Sequence, residues 1–484
     1  MQIVSGRHFQ SAWLAAIVFL GSTVLAQDDR PNIVIILCDD LGYGDLSIHG
    51  HPVIQTKTID ELARTGLRFS NFYSAAPVCS PSRVGLLTGR SPNRAGIYDW
   101  IPEAKSATLD ARDQVHLRST EVTVPQVLKR AGYATCMAGK WHCNSLFNRP
   151  EQPQPNDAGF DHWLATQNNA GPSHENPRNF VRNGERLEVQ QGFSCQITID
   201  EVSSWLDSHM ADSPDQPFFI YLPFHEPHEP VSSPPDLVAR YLPHSLNEDQ
   251  AQYFANVHHV DDAIGRLLNK LQDLRIRENT IIIFSSDNGP ETLNRYKNGH
   301  RSWGRTGIFR GMKLHTYDGG LHVAGIINWP AKMKQGRVIS DPASSLDLLP
   351  TICEITGTKV PENRPLDGMS LAPVLWNQPL PPRPKPLLWV YYNSLNDARV
   401  AMRHGAWKVL ARLNDGTFPR FANLTAQQIP EAQSAKLTDL EIYNVESDPG
   451  ETLNLAGRGL ATEQELSDLI QREYDNLAAD SFGW

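Results

Sequence analysis

Two polar dipeptides stand just past two runs of residues of the kind proteins bury. Asp39-Asp40 follow Asn32-Ile33-Val34-Ile35-Ile36-Leu37-Cys38, and Asp287-Asn288 follow Thr280-Ile281-Ile282-Ile283-Phe284 and two serines. Three carboxylates and an amide make an all-oxygen donor set, which suits calcium or magnesium better than zinc. Each pair alone reads equally well as a turn or cap, where Asp and Asn are favoured. At equivalent positions past two buried strands, together, they read as a metal site. A second constellation is Cys79-Ser80-Pro81-Ser82-Arg83-Val84-Gly85-Leu86-Leu87-Thr88-Gly89-Arg90. Pro81 suits the first turn of a helix, which puts Cys79 at its N-terminal end, where amides and dipole favour negative charge. Arg83, one turn on, faces back toward Cys79.

The elements that must position these groups follow from pattern. The two apolar runs, rich in β-branched residues, read as strands buried on both faces, as inside parallel sheets. Thr58-Ile59-Asp60-Glu61 reads as a capping box opening a helix that Gly66 closes, and Thr123-Val124-Pro125-Gln126 repeats the signature before a stop at Gly132. Val257, Val260, Ile264, Leu267, Leu271 and Leu274 recur at steps of 3 and 4, one amphipathic stripe. Strands alternating with helices predict an α/β fold with a mostly parallel sheet, whose ligands gather beyond the carboxyl ends of the strands. Composition turns proline-rich after residue 355, and a smaller C-terminal unit is expected to begin its own structure near Leu387-Leu388-Trp389-Val390.

The Cys79 segment resembles the sulfatase signature C-x-P-S-R-x-x-x-x-T-G at all six fixed positions. Gly132-Tyr133-Ala134-Thr135-Cys136-Met137-Ala138-Gly139-Lys140-Trp141-His142 resembles the second signature of that family. Pro227-His228-Glu229-Pro230, Ser286-Asp287-Asn288-Gly289 and Gly311-Met312-Lys313 are similar to further family segments, so the resemblance spans nearly the whole chain. It implies an alkaline phosphatase-like fold: a large, mostly parallel mixed sheet flanked by helices, and a smaller C-terminal α+β subdomain with a short antiparallel sheet. The expected division is residues 27–375 for the catalytic domain and 376–484 for the subdomain.

What the resemblance implies for chemistry is specific. Cys79 is oxidised before folding to formylglycine, by a formylglycine-generating enzyme or a radical maturase, and the aldehyde hydrate is the nucleophile. Asp39, Asp40, Asp287 and Asn288, with residue 79, hold one divalent ion, calcium or alternatively magnesium. Arg83 orients the hydrate, Lys140 and Lys313 contact sulfate oxygens, His228 protonates the leaving alcohol, and His142 takes up a proton when sulfate is expelled. The implied reaction is hydrolysis of sulfate monoesters, with sulfated carbohydrates as substrates and a lean to galactose or N-acetylgalactosamine. Alternatives are a formylglycine-dependent phosphonate or phosphate ester hydrolase, or a non-catalytic glycan-binding relative. Asp318, His322 and Cys143-Asn144 depart from common family residues without removing a chemical group.

Composition sets bounds. The 484 residues carry 44 basic and 54 acidic side chains, a net charge of −10 with histidine neutral. That balance disfavours a general nucleic-acid binder, which needs a basic surface to displace counterions. Arg7 and His8, an apolar run from Ala12 to Leu25 and the small-residue exit at Ala26 read as a secretory signal, too short to span a membrane. Export to the periplasm or outside the cell, without stable membrane insertion, is the expectation. Six cysteines are too few for a disulfide framework, although Cys136 and Cys143 could pair. Polar loops could bind sugar hydroxyls at Thr166-Gln167-Asn168-Asn169 and His174, or at His300, Arg301 and Trp303; an ordinary polar surface is the competing reading.

Overall fold

The computed structural model describes residues 2, 30–104, 112–297, 299–333, 336–362 and 364–484. The expected signal, residues 1–26, lies outside them apart from Gln2. Eleven strands form the main sheet: β1 (Asn32–Asp39), β2 (Leu67–Tyr73), β3 (Ala134–Lys140), β4 (His162–Thr166), β5 (Val181–Arg182), β6 (Glu185–Arg186), β7 (Phe218–Pro227), β8 (Thr280–Ser286), β9 (His322–Asn328), β10 (Arg337–Ile339) and β11 (Ala343–Ser344). Their order is β10-β2-β9-β8-β1-β7-β3-β4-β5-β6, with β11 also paired to β2. The central run β8-β1-β7-β3-β4 is parallel throughout. β9 runs antiparallel to both β8 and β2, which makes the sheet mixed. The carboxyl ends of five neighbouring strands therefore meet on one edge.

The pattern in β1 shows why this strand is central. Ile33, Ile35 and Leu37 enter one core layer and Val34, Ile36 and Cys38 the other, each at most 1% exposed. The second layer is filled by helices α1 (Lys57–Thr65), α4 (Ser194–Asp212), α5 (Pro235–Tyr241) and α6 (Glu248–Asp273). The first is filled by α2 (Cys79–Thr88) and α3 (Val124–Arg130) with the later helix Leu348–Thr356. Each such aliphatic side chain contributes about 1.5–3 kcal/mol by leaving water. The expected stripe on α6 is buried as read, from Val257 through Leu271.

Local readings fared unevenly. Thr123 and Gln126 form the expected capping box of α3, and Gly66 follows the end of α1. The start of α1 differs: the helix begins at Lys57, and Thr58 is not its cap. Its free amides at Thr58 and Ile59 donate to the Asp261 carboxylate of α6, at 3.0 and 2.8 Å, a tertiary cap invisible to local pattern. All six cysteines are free and buried. Cys136 and Cys143 cannot pair because they lie in opposite core layers of the sheet.

A separate four-stranded antiparallel sheet follows the proline-rich stretch: β12 (Leu387–Val390), β13 (Val400–His404), β14 (Trp407–Leu413) and β15 (Leu437–Asn444). It begins at the residues expected and packs on the C-terminal helix Glu463–Ala479. Polar ties hold it to the main sheet. Trp389 Nε1 donates to the Ser74 carbonyl, and the buried Lys408 ammonium sits 2.5 Å from Asp318, whose other oxygen accepts from Tyr73. Beside this junction His322 is packed among Tyr43, Tyr73 and Phe309, and burial pushes its ring down to about 4. A histidine neutral in the fold stabilises fully above its unfolded pKa and loses that contribution as pH falls toward 4. His322→Phe is therefore expected to remove about one proton's worth of pH dependence in stability between pH 6.5 and 4. Chemical denaturation at several pH values reads this directly.

Candidate active site

The site assembles at the carboxyl edge of the parallel run. Register places Cys38 opposite Ser286, so the chain leaves β1 and β8 side by side. The Asp40 amide donates to Asp287 Oδ1 at 3.1 Å and the Leu41 amide to Ser286 Oγ at 3.0 Å. Lys140 is the last residue of β3, His228 follows β7, and Cys79 opens α2. Asp40, His142 and Leu314 take left-handed backbone, with φ of 62°, 51° and 68°. Such conformations cost on the order of 1–3 kcal/mol each and cluster at functional sites. Gly289 packs so closely that an added Cβ would lie 1.9 Å from the Gly319 carbonyl oxygen. Gly289→Ala is expected to destabilise by about 1–3 kcal/mol and displace Asn288; thermal unfolding and activity together check this.

Charges are paired one for one. Lys140 Nζ lies 2.6 Å from Asp39 Oδ2, and Lys313 Nζ lies 2.7 Å from Asp40 Oδ2. Arg83, fully buried, forks onto Asp287 Oδ2 through Nε at 3.0 Å and Nη2 at 2.7 Å, and donates to the Lys140 carbonyl at 3.1 Å. Cys79 Sγ lies 3.5 Å from Asp39 Oδ1, as does Arg83 Nη2. Burial alone would raise Asp39, but Lys140, His228 and Arg83 hold its carboxyl well below the usual range. Burial wins at Asp40, raised to about 6, and at Asp287, raised to about 7 with Asp39 adding to the effect. Burial also pushes the Cys79 thiol up.

The donor set fits a hard dication. Ligand atoms of Asp39, Asp40, Cys79 and His228 lie within 4.8 Å of one another. Asn288 donates from Nδ2 to Asp40 Oδ1 at 2.6 Å, while its buried Oδ1 meets no hydrogen-bond partner among the described residues. An orphaned amide oxygen beside two carboxylates is what a cation would satisfy. Asp287 is outside this group: its Oδ2 takes both contacts from Arg83, while Oδ1 accepts only the Asp40 amide and keeps a lone pair for a cation.

Two histidines flank Cys79 as opposite tautomers, burial pushing both rings toward the neutral form. His142 Nε2 faces the Ile101 carbonyl at 3.0 Å and so carries the hydrogen, leaving the buried Nδ1 unpartnered. Burial, then Lys140 and Arg83, keep that ring neutral. His228 is reversed: Nδ1 faces the Glu229 carbonyl at 2.6 Å, and Nε2 lies 3.5 Å from Asp40 Oδ2. A model of the family described as Sulfatase matches residues 31–358. The chain belongs to the sulfatase family. Canine N-acetylgalactosamine-6-sulfatase is 33% identical over 393 residues, covering 78% of this chain and 71% of that one. Human arylsulfatase A is 34% identical over 462 residues, covering 90% and 85%. Among solved structures, Ps i-CgsB in complex with k-i-k-neocarrahexaose is 26% identical, covers 94% of both chains and has a TM-score of 0.76.

A cavity of about 470 Å³ opens over the sulfatase site, and Cys79, His142, His228 and Lys313 line it. The residues expected to bind sugar fare differently. Asn168 and Asn169 are on its wall. His174 is not: it is wholly buried, its Nδ1 3.3 Å from Asn256 Nδ2 and 3.8 Å from Glu226. His300, Arg301 and Trp303 also stand off the wall. Arg301 instead braces the His228 loop, its amide donating to Glu229 and its guanidinium to the Val231 carbonyl, both at 2.6 Å. Trp303 Nε1 donates to the His300 carbonyl. Sequence reasoning missed other wall residues: Asp99 and Trp100, Tyr391 and Asn393, and Arg295 and Tyr296. None lies in a contiguous motif.

Proposed function

We propose that this sulfatase releases sulfate from monoesters of carbohydrates, with Cys79 matured to formylglycine. The observation that carries the reading is the pair of histidines on either side of residue 79. Each has one nitrogen fixed by a carbonyl and the other left as an acceptor, His142 Nδ1 to take a proton and His228 Nε2 to pass on one gained with the substrate. A divalent cation, proposed as calcium with magnesium the alternative, would be held by Asp39, Asp40, Asp287, Asn288 and residue 79. When bound it supplies Lewis acidity toward a sulfate oxygen. The matured residue 79 supplies the nucleophilic oxygen; the thiol Sγ marks where that oxygen would stand.

The chain's own groups do the rest. Arg83, buried and locked by Asp287, orients residue 79. Lys140 and Lys313 neutralise the sulfate oxygens and hold sulfur in line with residue 79. His228 Nε2 protonates the departing sugar oxygen, and His142 Nδ1 takes the proton when sulfate leaves. In the reading proposed here residues 27–375 carry these groups and residues 376–484 close one wall through Tyr391 and Asn393. Export is supported by the sequence around Ala26, and a maturase acting before folding by the Cys79 segment; no described helix is long and apolar enough to cross a membrane. The lean to N-acetylgalactosamine or galactose sulfates rests on the names of the similar enzymes.

The test is sulfate release by enzyme matured in a competent host, on N-acetylgalactosamine 6-sulfate and its phosphate counterpart. Turnover of the sulfate, an aldehyde at residue 79 by peptide mass and loss of activity with chelator restored by calcium are the expected results. Preference for the phosphate would overturn the sulfate reading in favour of a phosphate ester hydrolase.

A further inference from the structure

The hydrogen-bond acceptors on the cavity wall bear on which sugars enter. Lys313 lines its floor, with the buried Lys140 and Arg83 behind it, each paired to a carboxylate. Its wall carries a carboxylate, Asp99, only 2% exposed. Asp99 Oδ1 accepts from the Trp100 amide at 2.8 Å and from the Tyr391 hydroxyl at 3.0 Å; Oδ2 accepts from Asn393 Nδ2 at 2.9 Å. Asn393 keeps its own carbonyl oxygen as an acceptor. Trp100 is 40% exposed at the rim, with the Arg112 guanidinium 4.5 Å over its ring. The charge of Arg295, also on the lining, is taken up by Glu291 at 2.7 and 2.6 Å, and Arg112, 3.9 Å from Asp99 Oδ2, partly offsets that carboxylate.

A buried carboxylate beside an amide and an indole face is a set of acceptors and an apolar platform. It suits neutral hydroxyl donors on a ring, and a second sulfate would remove such a donor. Resting on the carbohydrate reading above, we propose that Asp99 and Asn393 recognise hydroxyls of the leaving sugar while Trp100 supports its ring. The enzyme then selects sugars whose hydroxyls beside the sulfate are free and rejects those sulfated there a second time. These are specificity-determining residues, and the sulfate is left to the floor.

The experiment compares N-acetylgalactosamine 6-sulfate with its monodeoxy analogues and with a disulfated analogue, on wild type, Asp99→Asn, Asn393→Ala and Trp100→Ala. Wild type is expected to prefer the parent over one deoxy analogue by roughly 10- to 100-fold in kcat/KM. In Asp99→Asn and Asn393→Ala that preference collapses, and the penalty against the disulfated sugar shrinks. Asn393→Ala leaves two donors on Asp99 and so guards against a misfolded Asp99 variant. Variants that lose activity by the same factor on every analogue would overturn the assignment, since the pair would then only brace the wall. Wild type that cleaves sugar sulfates with no deoxy penalty would overturn it alone. Wild type that cleaves 4-nitrophenyl sulfate and no sugar sulfate would overturn the carbohydrate reading as well.

Discussion

Cys79→Ala is expected to lose turnover by several orders of magnitude, on the 10⁶ scale at which nucleophile deletions silence hydrolases, while the protein stays folded. The cost to the fold is small because Cys79 makes one contact of consequence, 3.5 Å from Asp39, and Arg83 keeps its fork on Asp287 without it. Alanine also suits the helix start. Cys79→Ser is the sharper variant, since it restores an oxygen of similar size at the same place. If an oxygen there were enough, Cys79→Ser would recover activity; the hydrate reading expects turnover to stay lost, because an ordinary ester of serine has no second hydroxyl to expel sulfate. Sulfate release and circular dichroism on the two variants and wild type decide it. Near-normal turnover by Cys79→Ala would sink the formylglycine assignment.

The floor of this site was legible in sequence and its walls were not, for a physical reason. Asp39-Asp40 and Asp287-Asn288 are contiguous pairs at the ends of apolar runs, and strand direction alone carries them to one edge. Cys79 and Arg83 are one helical turn apart. By contrast Asp99 and Asn393, in contact at 2.9 Å, are separated by 294 positions and come from two different sheets' connections. No local period records such a meeting. Depth is equally hidden: His174 sits in a polar, glycine- and proline-punctuated stretch that reads as surface, yet the loop folds over it and leaves it 0% exposed. Net charge misleads in the same way. A chain at −10 holds an anion site because Arg83, Lys140 and Lys313 offset Asp287, Asp39 and Asp40 within one pocket, and a dication would tip the balance positive.

His228 offers the test with the clearest chemical contrast. The Glu229 carbonyl holds Nδ1, so Nε2 is the nitrogen that faces the site. In the substrate-free site burial, then Lys313, push the ring down to about 3. A sulfate monoester seated against Lys313 and Lys140 opposes that field, and the same carbonyl favours the charged ring. The general-acid role therefore requires that protonation accompany binding, which would place the proton where the leaving oxygen needs it. His228→Gln keeps the volume and a hydrogen-bonding group but cannot transfer a proton. Its kcat on N-acetylgalactosamine 6-sulfate should fall by about 10²–10⁴, the usual worth of general-acid catalysis. On 4-nitrophenyl sulfate, whose phenolate departs without a proton, the fall should be about tenfold or less. An equal loss on both esters would instead make His228 a structural brace or ligand near Asp40. The ratio of the two losses, rather than either alone, assigns the acid.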